Sequence, residues 1–417
     1  MANVSQPELE LTKASKASVS ALFSYGFRPF FLGASLFSVL LMSVWIVWLT
    51  MIWQGGKGDW LPVAGSAYPW HAHEMIFGYA GAAMAGFLLT AIPNWTGALP
   101  LSGPPLAFLF AVWLSGRCVM AASGLLPYAL VASVDIAFLP VLGAFAARQL
   151  FVRPAARNLV FLGILAFLTL ENARYHLAVA GVVALDPLEA VRTALLIVTV
   201  MIAIIGGRII PAFTHNWLHL NRPGEAMPRR VTHLDAAAVL SVVLVAALKL
   251  AGAPQWSLGA AALAAAALNA WRLVLWGGWA ARPDPIVWIL HAGYAWLAAG
   301  LGLMGLAGLM ESVPETLAFH ALGAGAIGTM TLAIMTRASL GHTGRPIKAP
   351  LSIVWAYHLV IASAVLRVAG PMVAPAHQGI ALALAALFWI VAFGLFAAVY
   401  APILTTPRVH TKVAHRA

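Results

Sequence analysis

Apolar residues run through this chain in blocks of about 20, each closed by a short polar or basic connection, and a block of that length crosses a bilayer as one helix. Twelve such blocks are present, over residues 30–53, 70–92, 104–125, 127–147, 157–182, 190–213, 234–253, 256–279, 285–309, 315–336, 351–373 and 377–401. No connection is long or polar enough for a separate soluble domain. The longest, Asn216 to His233, carries Arg222, Arg229 and Arg230. The pattern predicts an all-α integral membrane protein, a bundle of 12 transmembrane helices. It divides into an N-terminal segment (1–29), a single transmembrane domain (30–401) and a basic tail (402–417).

The basic residues orient these spans. Of the 24 lysines and arginines, Arg117 and Arg174 fall within spans, and Lys57, Arg192, Lys249 and Arg367 fall on one side. The remaining 18 fall on the side that holds both termini. The positive-inside rule therefore places both termini in the cytoplasm. A missed or invented span would scramble that split. With this topology, His71, His73, His176, His320 and His377 lie toward the outer face, and His215, His219, His233, His291, His342 and His358 toward the cytoplasm. An outer polar centre can draw on spans 2, 5, 10 and 12, and an inner one on spans 6, 9 and 11.

Composition agrees with the pattern. Of 417 residues, 62% are hydrophobic and 9% charged, too few polar groups to cover a soluble protein of this size. The net charge of +11 does not point to nucleic acid, because the basic groups sit in short loops where they set topology. No cleavable signal peptide is evident: the first 20 residues are polar, and the apolar run from Phe30 to Trp53 is too long for a signal core. The single cysteine, Cys118, excludes a disulfide framework and a thiolate cluster, so a bound metal must use histidine, carboxylate or methionine.

The chemistry concentrates at His71-Ala-His73-Glu74, which opens a run from Met75 to Pro93 without a charged residue. Ionisable groups at membrane depth are costly and mark metal, proton or substrate sites. At 100° per residue the two imidazoles point about 200° apart, which disfavours a shared ion and suggests one imidazole for each of two centres. His71, Glu74 and Met75 share a face, with Glu74 as a proton relay; His73 lines up with Phe77. The plainer alternative is a pair of interfacial histidines bonded to backbone or water. His320 precedes Gly323, Gly325 and Gly328, and a histidine beside a smooth small-residue wall suits a flat ring such as haem, although helix packing explains the same spacing. Met330 and Met335, deeper in that span, read as core filler.

Span 5 holds Glu171, Asn172, Arg174 and His176. Glu171 and Arg174 are placed to pair, and Asn172 shares a face with His176 and can orient it. A purely structural salt bridge is the alternative. On the inner side, Arg208 in Gly206-Gly207-Arg208 suits a propionate, phosphate or lipid headgroup, or ordinary snorkelling. Arg337 to Arg345 reads as a basic loop, and His291 is the better inner candidate ligand, ahead of His358. His410 and His415 belong to the tail. Walker, dinucleotide and nucleophile-elbow motifs are missing, as are an adjacent His-His pair and a CxxCH haem-attachment motif.

Several segments in order resemble the NnrS family: Tyr25-Gly-Phe-Arg-Pro-Phe-Phe31, Trp70-His-Ala-His-Glu74, Gly86 to Gly97, Gly207-Arg-Ile-Ile-Pro-Ala-Phe-Thr214, and His320 through Arg345. The resemblance implies a multi-pass protein of the bacterial inner membrane that carries haem b, with copper as a further candidate. It also implies a reaction or binding event with nitric oxide in nitrosative stress defence or denitrification. The residues then suggest an oxidoreductase that reduces two nitric oxide molecules to nitrous oxide. His73 or His320 would coordinate the iron, His71, His73, His176 and His320 form the metal-ligand set, and Arg208 and His291 lie near a cofactor. Glu74 and Glu171 would relay protons, and a quinol or cytochrome would donate electrons. The alternatives are a sensor or scavenger without turnover, and a transporter of metal, haem or a small solute.

Overall fold

The computed structural model describes residues 17–56 and 60–409. Its twelve long apolar helices coincide with the twelve expected spans: α1 Phe27–Trp53, α2 Ala67–Thr96, α3 Pro104–Ala121, α4 Tyr128–Leu150, α5 Ala156–Val179, α6 Pro187–Asn221, α7 Thr232–Leu250, α8 Gln255–Leu275, α9 Pro285–Leu309, α10 Glu315–His342, α11 Leu351–Val373 and α12 Pro375–Thr405. No strand occurs among the described residues. The tail histidines His410 and His415 and the basic residues Lys13, Lys16, Lys57, Lys412 and Arg416 lie outside the described residues.

Burial sorts the helices into a centre and a ring. The apolar stretches of α2, α6 and α10 are 83%, 83% and 72% buried, against at most 50% for the others. A ring helix presents one face to lipid; a central helix must satisfy every side chain inside the protein, so polar groups on α2 and α10 have protein partners or none. Both of these central helices depart from α geometry immediately after a histidine. Residues Glu74–Ala80 of α2 and Ala321–Ile327 of α10 are π-helical. Such segments free backbone groups and recur at functional sites. Here the Gly78 carbonyl accepts a hydrogen bond from the Trp113 indole at 3.0 Å. The Tyr79 and Thr331 hydroxyls bond to each other, tying the two helices together.

The two described ends meet. Arg28, at the start of α1, donates to the Leu404 carbonyl at 2.8 Å and the Thr406 carbonyl at 2.6 Å, beside the end of α12. Both ends therefore lie on one side of the bundle, as an even number of spans requires. Two connections are shorter than expected. The sixth helix continues to Asn221, through the expected start of the loop. The segment expected as a basic loop from Arg337 is helical to His342, and Arg337 packs its guanidinium over the Phe213 ring, 3.6 Å from the ring centre. Arg337 thus gains a cation–π partner in place of solvent.

Candidate metal and cofactor site

The start of α2 carries two sets of partners, one on each side. His73 faces α3, α4 and α5, and every group around it is buried. Its Nδ1 lies 2.9 Å from Glu74 Oε1, and its Nε2 lies 2.9 Å from Asn172 Oδ1 and 3.2 Å from Asp135 Oδ2. Asn172 Nδ2 donates to Asp135 Oδ2 at 2.9 Å, which fixes the amide so that its oxygen faces His73. All three neighbours of the imidazole are then acceptors, so both ring nitrogens donate and His73 is an imidazolium. Arg117 donates to Glu74 Oε1 at 2.5 Å and to Asp135 Oδ1. Two cations and two carboxylates make the group neutral, which is what burial in a membrane core demands.

Asp135 is the hub of this network. His176 Nε2 donates to its Oδ2 at 2.9 Å, and the Tyr128 hydroxyl donates to His176 Nδ1 at 2.9 Å. His176 is thereby the neutral tautomer with its proton on Nε2. Arg117 fits against α2 only because position 78 is glycine: a Cβ there would lie 2.8 Å from Arg117 Nη1 and 2.6 Å from the Phe37 ring. Two atoms of the network have no partner, the buried Oε2 of Glu74 and the buried Nε of Arg117.

His71 turns the other way, onto the half of the bundle built from α1, α10 and α11. Its ring stacks on Trp45 at 4.1 Å and 9°. His320 and Arg367 lie within electrostatic reach of it, and of each other. His320 Nδ1 donates to the Thr316 carbonyl at 2.7 Å, so the proton sits on Nδ1 and Nε2 keeps its lone pair. The Nδ1 of His71 is buried without a hydrogen-bond partner. His320, held through one nitrogen with the other open, has the arrangement metal-binding histidines adopt, while His71 is held by its stack on Trp45.

The expected residues therefore divide. Of the outer histidines of spans 2, 5 and 10, His73 and His176 are brought together, with ring centres 5.5 Å apart, His71 and His320 lie within electrostatic reach of each other, and His377 on α12 is exposed. Glu74 turns to His73 and Arg117, although the helix pattern had put it beside His71. Neutralising the buried arginine decides its direction. Asn172 reaches His176 only through Asp135. Glu171 pairs with Arg174 at 2.8 Å, as the spacing suggested, and takes no part in the Asp135 network. On the inner side, His291 Nε2 bonds Thr214 Oγ1 at 2.9 Å, linking spans 6 and 9, and His358 packs on Trp288. Arg208 bonds the Arg157 carbonyl at 2.6 Å and lies over Trp95 and Phe161. Met330 and Met335 are buried core.

The sequence reading missed Asp135 and gave Arg117 no role. The signal was there: Asp135 is the lone acid in the run from Tyr128 to Ala147, at a depth where a carboxylate must have a partner. Three residues of the network fit a metal by spacing. His73, Asp135 and His176 each offer one donor atom, all within 4.8 Å of one another, and two imidazoles with a carboxylate suit copper, zinc or iron.

The fold and these buried pairs define a class: a polytopic membrane protein with histidine and carboxylate centres inside the bundle. The chain matches the NnrS protein family over residues 21–408, nearly its whole length, and it belongs to that family. Membership gives it a role in the nitric oxide response, as the resemblance of its motifs implied. Comparison with curated proteins finds no match.

Proposed function

We propose that this chain binds haem b through His320, with His71 beside it, and there binds and reduces nitric oxide, with the Asp135 network near it as proton store. The observation that carries the reading is the open nitrogen on each of these two imidazoles, one on each of the two π-bearing helices. Haem b, when bound, supplies an iron that takes a diatomic gas and passes electrons to it. Arg367 has no carboxylate partner among the described residues and would balance an acidic group of the cofactor.

The protein's own residues supply the rest. Converting two nitric oxide molecules to one nitrous oxide and one water takes two electrons and two protons. Electrons come from a quinol or a cytochrome of the membrane in which the protein sits. Glu74 Oε2, buried and unbonded, accepts a proton while Arg117 holds the other oxygen in place. Glu171, paired with the partly exposed Arg174, is a second proton station toward the membrane face. About ten residues deeper in α2, an apolar cavity of about 60 Å³ lies between α1, α2, α6 and α10, lined by Phe31, Met84, Phe87, Ile202 and Met330. Apolar cavities stay dry and admit small apolar molecules, so this one suits the gas. If copper is present too, His73, Asp135 and His176 hold it, and its binding must release the second imidazole proton of His73.

An optical spectrum of the purified protein tests the reading. The expected result is a Soret band that shifts with nitric oxide and is missing from His320→Ala. Protein from haem-replete cells without a Soret band would overturn it. Nitric oxide consumption with nitrous oxide release tests the reduction, and binding without turnover under several reductants would reduce the role to sensing or scavenging.

A further inference from the structure

The inner ends of α5 to α8 enclose a groove of about 410 Å³ that the nitric oxide chemistry leaves unused. Four arginines line it, Arg157, Arg208, Arg230 and Arg272, against one carboxylate, Asp235. That carboxylate is shared, 3.4 Å from Arg230 Nε and 3.2 Å from Arg272 Nε, so the groove keeps a surplus of positive charge. We propose that it binds the phosphate head of an acidic membrane lipid.

Arg272 supplies an observation independent of the charge count. It is 2% exposed, sits between the Trp276 and Tyr294 rings, and uses Nη2 to donate to the Ala203 carbonyl at 2.7 Å. Its Nη1 is buried with no partner. A buried guanidinium with an unused N–H, at the wall of a basic groove, is short of an anion. The glycine before Arg208 exists for this side chain. A Cβ on Gly207 would stand 1.6 Å from Arg272 Nη2, so any other residue would push the arginine out.

The walls select a lipid over a free anion. Val160 and Ile204 on one side and Val239 and Leu240 on the other continue the groove as apolar surface, and Leu240 is 64% exposed. An acyl chain lies along such a wall while its phosphate accepts from the guanidinium forks above, a geometry arginine matches better than lysine. This end of the bundle is also the side rich in basic residues. The cytoplasmic leaflet, where the positive-inside rule puts it, holds the anionic lipids.

The test is native mass spectrometry of the delipidated full-length protein with phosphatidylglycerol, phosphatidylcholine or inorganic phosphate added back. Phosphatidylglycerol should bind in preference to phosphatidylcholine, and Arg157→Gln with Arg230→Gln should weaken it about tenfold or more. Both arginines are exposed, so the double variant should fold; Arg148→Gln with Arg153→Gln, equally exposed, removes the same charge elsewhere and should leave binding unchanged. Equal binding of the two lipids would overturn the proposal, as would full binding by the groove variant. A matching loss in the control pair would show general surface charge instead. Retention of inorganic phosphate, with no gain from the acyl chains, would make this a soluble-anion site and also overturn it.

Discussion

His71 and His73 are separated by one alanine on the same helix, yet they occupy opposite chemical situations. Around His73 every ring nitrogen has an acceptor, the charges cancel, and the partners come from α2, α3, α4 and α5. Around His71 there is an indole face, with a second imidazole and an arginine within electrostatic reach, and its Nδ1 has nothing to bond. A neutral network in which both ring nitrogens are bonded stabilises the bundle, and a metal there must displace hydrogen bonds already made. An open donor beside another open donor gains a great deal. Depth in the membrane is similar for both, so the difference lies in whether the ring nitrogens themselves are bonded.

The strongest way to break this contrast is to remove the hub of the closed side. Asp135→Asn leaves the Arg117 and His73 charges facing one carboxylate in a buried site, and stranding a buried charge costs on the order of 3–5 kcal/mol. We expect a sharply lower melting temperature in detergent and poor recovery of folded protein. His71→Ala should do little to the melt while altering the optical spectrum. If both variants unfold alike, the distinction between the two sides is gone.

His73→Gln sharpens the comparison at intermediate size. Glutamine keeps one donor for the carboxylates but loses the charge, leaving an acceptor under-satisfied at a cost of roughly 1–3 kcal/mol. The Soret band should survive in this variant and vanish in His320→Ala. The reverse pattern, with folding intact in both, would assign the haem to His73 and invert the roles of the two sides.

Much of this was legible in the sequence, for reasons that differ by feature. The twelve spans could be read because a bilayer requires about 20 apolar residues whatever the tertiary packing. The divergence of His71 and His73 followed from helical rotation alone. Glu74 went to the other side because rotation gives direction but not partners, and its direction is decided by Arg117, which arrives from α3 across Gly78. Asp135 was overlooked because a single acid in an apolar run has no motif around it; its meaning appears only when α2, α4 and α5 bring His73, Asn172 and His176 to it. The glycines after His320 were read as a smooth wall. Two of them instead make room for indole rings, Gly325 for Trp296 and Gly328 for Trp389. The π-helical turns could not be read at all, since no local pattern of residues marks where a helix widens.

The smallest effect probes what holds His71 in place. Trp45 stacks on the imidazole almost in parallel, and an aromatic pair of this kind contributes about 0.5–1.5 kcal/mol beyond its buried area. Trp45→Leu keeps an apolar side chain at the bundle surface and removes the π face, so the melting temperature should fall only slightly. With its stacking partner gone the His71 ring can rotate, and the expected signature is a broadened Soret band and faster loss of haem to an acceptor protein. Trp45→Phe, which restores a ring, should recover most of the wild-type behaviour. Equal spectra in all three proteins would mean that His71 is positioned by something other than the stack, and that the open side is as rigidly held as the closed one.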